Sequence, residues 1–265
     1  MLPGITPVTT QQGGSLINIL GRLNLTSGLT LCLDAGDSAS YTSGQSWLDR
    51  SGGGYDFFLG LDGSATATDP TFNGVAGALS SAEFFSFDGG DLFTYDTTNE
   101  TWMNNLHKDS AAYTIVGYVY IAASVGIQCV VSTFVTNSTG TGFRFRIAAD
   151  ETLNILVQNG GAAVLSTGTT ATISTGAWHF IAVAVDEAAG TGTFQIDGTQ
   201  ASFTSTYSSP STGNAESTMA LASRGDTNQT FESGGRMAAM AAWTTKLTDA
   251  SLTSIYSATK TRFGV

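Results

Sequence analysis

Charge is what this sequence is short of. Asp, Glu, Lys and Arg make up 12% of its 265 residues, about half of the roughly 25% carried by an ordinary soluble chain. Cations are scarcest, with 10 Lys and Arg against 21 Asp and Glu and a net charge of −11. Gripping a phosphate backbone takes clustered Lys and Arg, and these are scattered, which argues against a nucleic-acid partner. No apolar stretch reaches the ~18 residues of a membrane-spanning helix. The opening Met-Leu-Pro-Gly-Ile-Thr-Pro has no basic segment leading into an apolar one, so synthesis in a cytosol without a secretory leader is expected. The two cysteines, Cys32 and Cys129, sit in apolar strand patterns, where buried reduced thiols are expected rather than a disulfide. With only two histidines, His107 and His179, there is no Cys/His metal spacing, and phosphate-loop and dinucleotide fingerprints are missing as well.

What is abundant is Gly, Ser, Thr and Ala, interleaved with strand patterns. Leu29, Leu31 and Leu33 alternate with Thr30, Cys32 and Asp34; Tyr113 to Ile121 is β-branched and aromatic; Ile127 to Phe134 is nearly continuous. Phe143, Phe145 and Ile147 alternate with Arg144 and Arg146, and Leu153, Ile155 and Val157 with mostly polar partners, so each strand is expected to have a buried and a wet face. Trp178 to Asp186, a small-residue turn with Gly190, and a strand ending at Asp197-Gly198 read as a β-hairpin. Ile181, Val183 and Val185 face the opposite way from Phe180, Ala182 and Ala184, so this strand should be central. Short polar turns with hardly a helical pattern between strands indicate an antiparallel sandwich. One helix is predicted near the C-terminus, with Thr248 as N-cap, a Leu247–Leu252 staple, and Leu252, Ile255 and Tyr256 on the face that caps the sandwich. Residues 1–28 differ from the rest and read as an arm. Its Leu16, Ile17, Ile19, Leu20, Leu23 and Leu25 must be covered, either by the arm's own sandwich or by a partner on which it anchors.

Several segments resemble the laminin-G-like, concanavalin A-like lectin/glucanase family. The hairpin AWHFIAVAVDEAAGTGTFQIDG and the closing GRMAAMAAWTTKLTDASLTSIY carry the resemblance. So do Asp34, Ser40-Tyr41, Trp47, Asp49 and Ser51-Gly52 near the start, and Phe87-Asp88-Gly89. The resemblance implies an all-β jelly-roll sandwich over residues 29–265, with a short C-terminal helix and residues 1–28 as an appended arm. The variant with this opening segment is similar to virion decoration, spike or fibre proteins of tailed phages.

Function is less legible, because this scaffold hosts lectins, hydrolases and structural modules alike. The family's glucan-cleaving members place two glutamates and an aspartate on one strand face as Glu-x-Asp-x-x-Glu, the arrangement that paired carboxylate catalysis requires. Here Glu83, Glu100, Glu151, Glu187, Glu216 and Glu232 are isolated, and no enzyme activity is expected. His179 beside Trp178 is read as a packing or hydrogen-bonding residue. Asp88 and Asp91 form the densest acidic loop and are the candidate calcium ligands, against the plainer reading that Asp-Gly pairs make turns. Trp102, in a polar loop outside any strand pattern, is the best candidate for an exposed glycan or subunit contact, with Tyr95 nearby. The leading expectation is a non-enzymatic tailed-phage virion protein, bound to capsid or other virion proteins through Leu16, Ile17, Ile19, Leu20 and Leu23, and homo-oligomeric. The alternative is a carbohydrate-binding adhesion module for host glycans, with a glycoside hydrolase behind both.

Overall fold

The computed structural model describes residues 14–95, 101–124, 126–135, 139–225 and 227–265. A helix, α1 (Leu16–Arg22), precedes the short early strands β1 (Leu29–Asp34), β2 (Ser46–Trp47), β3 (Phe57–Leu59), β4 (Thr71–Asn73), β5 (Phe84–Ser86) and β6 (Phe93–Tyr95). After a 3-10 turn, η1 (Trp102–Asn105), come β7 (Ala112–Ile121), β8 (Gln128–Ser132), β9 (Gly142–Ile147), β10 (Thr152–Asn159) and β11 (Ala162–Thr172). The hairpin strands β12 (Ala177–Asp186) and β13 (Thr191–Ile196) follow, then β14 (Thr199–Thr204), β15 (Ala220–Leu221), β16 (Arg236–Trp243) and α2 (Asp249–Phe263).

The strands form two antiparallel sheets. The first runs β14-β13-β12-β7-β16-β5-β4, with β1 also on β16; the second runs β11-β10-β9-β8-β15-β6-β3-β2. This is the expected jelly-roll sandwich. The hairpin pairs Ile181 with Ile196 and Val183 with Phe194, and β12 lies inside its sheet between β13 and β7, as its two apolar faces require. Trp47 joins the sheets, its ring 4.9 Å from both Phe85 of the first and Phe93 of the second.

A second apolar layer lies on the outer face of the first sheet. Val116, Tyr118, Phe180, Ala182, Ala184 and Ala238 are covered there by Leu16 and Leu20 of α1 and by Leu252, Ile255 and Phe263 of α2. The C-terminal helix starts as predicted: Thr248 Oγ1 accepts the Ser251 N–H at 3.1 Å. It runs on past Tyr256 to Phe263 and stops at Gly264, whose φ of +75° closes the last turn.

Two expectations are corrected. The arm is not an appendage from residue 14 onward: Leu16 and Leu20 are fully buried, Ile19 is buried, and Ile17 and Leu23 pack on the same layer. Spacing of i, i+3, i+4 and i+7 at Leu16, Ile19, Leu20 and Leu23 gives one apolar helix face, and the outer sheet supplies its cover. These side chains are therefore spent on the protein's own sandwich and are not an anchor for capsid or sister subunits. Residues 1–13, the rest of the expected arm, lie outside the described residues. The second correction is Arg144, which alternation places on a wet face. It is 1% exposed, stacked 5.0 Å over the Phe134 ring and donating to Gln229 Oε1 at 2.5 Å, because the loop holding Gln229 folds over this part of the second sheet. Cys32 and Cys129 are buried free thiols, and burial raises the Cys129 pKa to about 11.

Candidate functional site

The polar loop around Trp102 becomes η1 and a turn leading into β7. Met103 and Asn104 point inward and are fully buried, while Trp102 is half-buried against the core. Cross-links to a distant segment hold the turn in place. Asn104 Oδ1 accepts the Met219 N–H at 2.6 Å, and Asn105 Oδ1 accepts the Ala215 N–H at 3.2 Å. Lys108 Nζ donates to Asn214 Oδ1 at 3.0 Å, and the buried His107 ring contacts the Gly213 carbonyl at 3.2 Å. Burial holds the His107 pKa below its ordinary value. Glu187, from the hairpin turn, accepts N–H groups from Ser110 at 2.8 Å and Tyr207 at 3.0 Å. A carboxylate between two loops in this way fixes both.

These constraints shape a groove of about 280 Å³ lined by Trp102, Asn105, Lys108, Asp109, Ser110 and Thr244, among others. Asp109 and Ser110 are exposed at its rim. The arrangement is a fixed aromatic ring beside a carboxylate, a hydroxyl and an ammonium. The sequence singles out Trp102; Lys108, Asp109 and Thr244 escape it, although the first two lie only a few residues on in the same polar run.

The other sequence candidates do not join this groove. Tyr95 is 5% exposed, with its ring 5.3 Å from Tyr55 and 5.8 Å from Phe57, so it is core and not a glycan contact. Asp88 and Asp91 make turn bonds. Asp91 Oδ2 accepts the Asp88 N–H at 2.9 Å, and Asp88 Oδ1 accepts the Gly90 N–H at 3.0 Å. Burial, reinforced by the neighbouring Asp88 carboxylate, raises the Asp91 pKa to about 6. Among the described residues, no three His, Cys, Asp or Glu gather as a metal site.

Two more of the isolated glutamates hold backbone in place. Glu83 accepts from the Ser80 N–H at 2.6 Å, and Glu216 from the Val135 N–H at 2.8 Å. Glu100 lies outside the described residues.

The two sheets, their order and the hairpin agree with a family profile for concanavalin A-like lectin/glucanases, which matches residues 89–253. The chain belongs to the concanavalin A-like lectin/glucanase superfamily. Solved structures of the same fold include a Trypanosoma rangeli sialidase with the inhibitor DANA, at 10% identity and a TM-score of 0.53, covering 86% of this chain and 32% of that one. A mutant of HCR/D is similar at 12% identity and a TM-score of 0.60, covering 88% and 52%. The binding domain of Paraclostridial Mosquitocidal Protein 1 is similar at 12% and 0.59, covering 87% and 52%. The chain thus spans about half or less of these proteins. No curated protein matches its sequence.

Several residues that carry the superfamily resemblance prove to be scaffold. Asp49 Oδ1 accepts the Cys32 and Ser51 N–H groups, each at 2.8 Å, folding the Ser51-Gly52 turn onto β1. There a Cβ at Gly53 would collide with the Thr30 carbonyl. His179 sits between Asp197 Oδ2, 2.6 Å from Nδ1, and Ser174, whose Oγ and carbonyl oxygen lie 3.1 and 2.9 Å from Nε2. Superficially this is a Ser-His-Asp array. The Asp197 carboxylate can only accept, so Nδ1–H donates to it, and Nε2 faces both the hydroxyl and the carbonyl oxygen of Ser174. The imidazole clamps the loop before β12 to the turn after β13.

Proposed function

We propose that the protein is a non-enzymatic recognition module that contacts glycans through the Trp102 groove. One observation carries the reading: a half-buried tryptophan, immobilised by the cross-links of η1, stands beside the exposed Asp109 and Ser110 in a groove of about 280 Å³. A pyranose offers an apolar C–H face to such a ring and hydroxyls to such a carboxylate. That volume lies just below the usual range of ligand sites (about 300–1,000 Å³), which fits one or two sugar units. Asp109 favours neutral sugars there, since a second carboxylate would be repelled.

The test is a glycan array followed by calorimetry on hits, with Trp102→Ala and Asp109→Ala alongside. Neutral glycans bound by the full chain and lost in both variants support the reading. An empty array, or hits that both variants retain, would sink it.

A second reading keeps the phage-virion structural role. β11 favours it: 11 residues without charge or proline at the end of the second sheet, a template for pairing between copies. With α1 committed to the sandwich, attachment to a virion would fall to residues 1–13 and to such edges. Light scattering that finds only monomer at high concentration, together with normal glycan binding, would discard this reading in favour of the first.

A further inference from the structure

The outer face of the first sheet carries a second feature that the Trp102 groove does not use. Along β7, β12 and β16, α2 covers Tyr118, Phe180 and Ala238, with the Phe263 ring stacked 3.9 Å from Tyr118. The helix then ends, and Gly264 passes close to Trp178. The next same-face residue on each strand is Tyr120, Trp178 and Arg236, with Phe84 of β5 beside them, and all four are only partly buried. Register places Tyr120 between Trp178 and Arg236. The Arg236 guanidinium lies 4.4 Å from the Tyr120 ring centre and 4.7 Å from that of Phe84. Trp178 stands edge-on to both rings, at 5.8 and 5.6 Å.

Two rings flank this guanidinium, yet its N–H groups make no hydrogen bond or ion pair among the described residues. A cation with no counter-ion among the described residues is out of character in a chain with 21 acidic residues and 10 Lys and Arg. Of the residues that are not described, 1–13 contain no Asp or Glu, and the acids are Asp96, Glu100 and Asp226. A guanidinium presents a fork of N–H groups that matches a carboxylate, and flanking aromatic rings favour holding the cation there. The adjoining indole offers a surface to the apolar face of a ring.

We infer that Arg236, Tyr120, Phe84 and Trp178 form a binding site for a carboxylate-bearing pyranose, with the carboxylate on Arg236 and the sugar ring against Trp178. This site is separate from the Trp102 groove. Ala112 and Thr244 mark one end of β7 and β16 and Tyr120 and Arg236 the other, eight residues or roughly 26 Å apart at about 3.3 Å per residue. The two sites also differ in chemistry, neutral sugar at one and acidic sugar at the other, so either can fail alone.

The experiment is a nuclear magnetic resonance titration of the full chain with methyl glucuronide, methyl glucoside and acetate, repeated with Arg236→Gln, Arg236→Lys and Trp102→Ala. Saturable shifts around Arg236 and Trp178 are expected with methyl glucuronide. Its affinity should fall at least tenfold in Arg236→Gln, fall partly in Arg236→Lys, and stay unchanged in Trp102→Ala. No shift with methyl glucuronide would overturn the inference. Equal binding of methyl glucoside would remove the carboxylate from it, and equal binding of acetate would remove the sugar ring. Arg236→Lys retains the charge, so it guards against a fold defect in the glutamine variant.

Discussion

Arg262 Nη2 lies 3.0 Å from Asp34 Oδ1, an ion pair whose side chains are 3% and 1% exposed. It ties the last turn of α2 to the end of β1. The same carboxylate accepts the Leu16 N–H at 2.8 Å, taking the place of the N-cap bond that Ser15 does not make. One buried carboxylate therefore holds both helices on the outer sheet. Burial pushes its pKa up, opposed by Arg262 and by the N–H groups of Leu16 and Gly36.

Removing the cation should be costly, because it strands the charge. Arg262→Met is expected to lose roughly 3–5 kcal/mol in urea denaturation. Arg262→Met combined with Asp34→Asn should recover part of that loss, since the amide oxygen can still accept from Leu16. A single variant as stable as the parent would show that the pair holds nothing.

Asp91 gives the pH dependence a sign. Its folded pKa of about 6 stands above the ordinary carboxylate value of about 4, so folding favours the protonated form. Its contribution to stability is complete below pH ~4 and is lost as pH rises through ~6, a change of roughly 2–3 kcal/mol. Asp91→Asn keeps an acceptor for the Asp88 N–H and should flatten stability across this window, read as melting temperature against pH. An unchanged slope would remove Asp91 as its source.

The elements that announced themselves are those whose partners are close in sequence or whose pattern is strict. The β12–β13 hairpin has two apolar-faced or alternating runs around a small-residue turn, and Thr248 begins α2 with an ordinary cap. Leu16, Ile19, Leu20 and Leu23 had helical spacing, but only the outer sheet face decides between packing inward and anchoring outward. Arg144 defeated alternation because Phe134 of the β8–β9 connection and Gln229 of a distant loop cover it. β11, read as AAVLSTGTTAT, has no apolar rhythm and is a strand because β10 pairs with it. At the site, Trp102 stood out by lacking a strand pattern. The exposure of Arg236 and Trp178 depends on where α2 stops, which local sequence does not encode.

The His179 array can be tested as scaffold against catalysis. His179→Gln should cost roughly 1–3 kcal/mol by breaking a charge-assisted bond to Asp197. Ser174→Ala should be tolerated within about 0.5 kcal/mol, because the Ser174 carbonyl contact with Nε2 persists. Ester hydrolysis by the parent that disappears in Ser174→Ala would reverse this assignment and make the array a nucleophilic site.

The N-terminal segment offers the sharpest test of what lies outside the sandwich. Leu16 and Leu20 are 0% exposed, and truncating one such leucine to alanine costs roughly 2–5 kcal/mol. Deleting residues 1–24 removes both, uncovers the outer sheet around Tyr118 and Ala239, and frees Asp34 of its Leu16 bond. That deletion should give an aggregating or unfolded protein. Deleting residues 1–13 leaves α1 in place and should leave the unfolding free energy from urea denaturation within about 0.5 kcal/mol of the parent. If the shorter deletion retains stability but abolishes incorporation into a larger particle, those thirteen residues are the attachment segment. If it retains both, attachment belongs to the sandwich surface, and the virion reading must rest on edges such as β11.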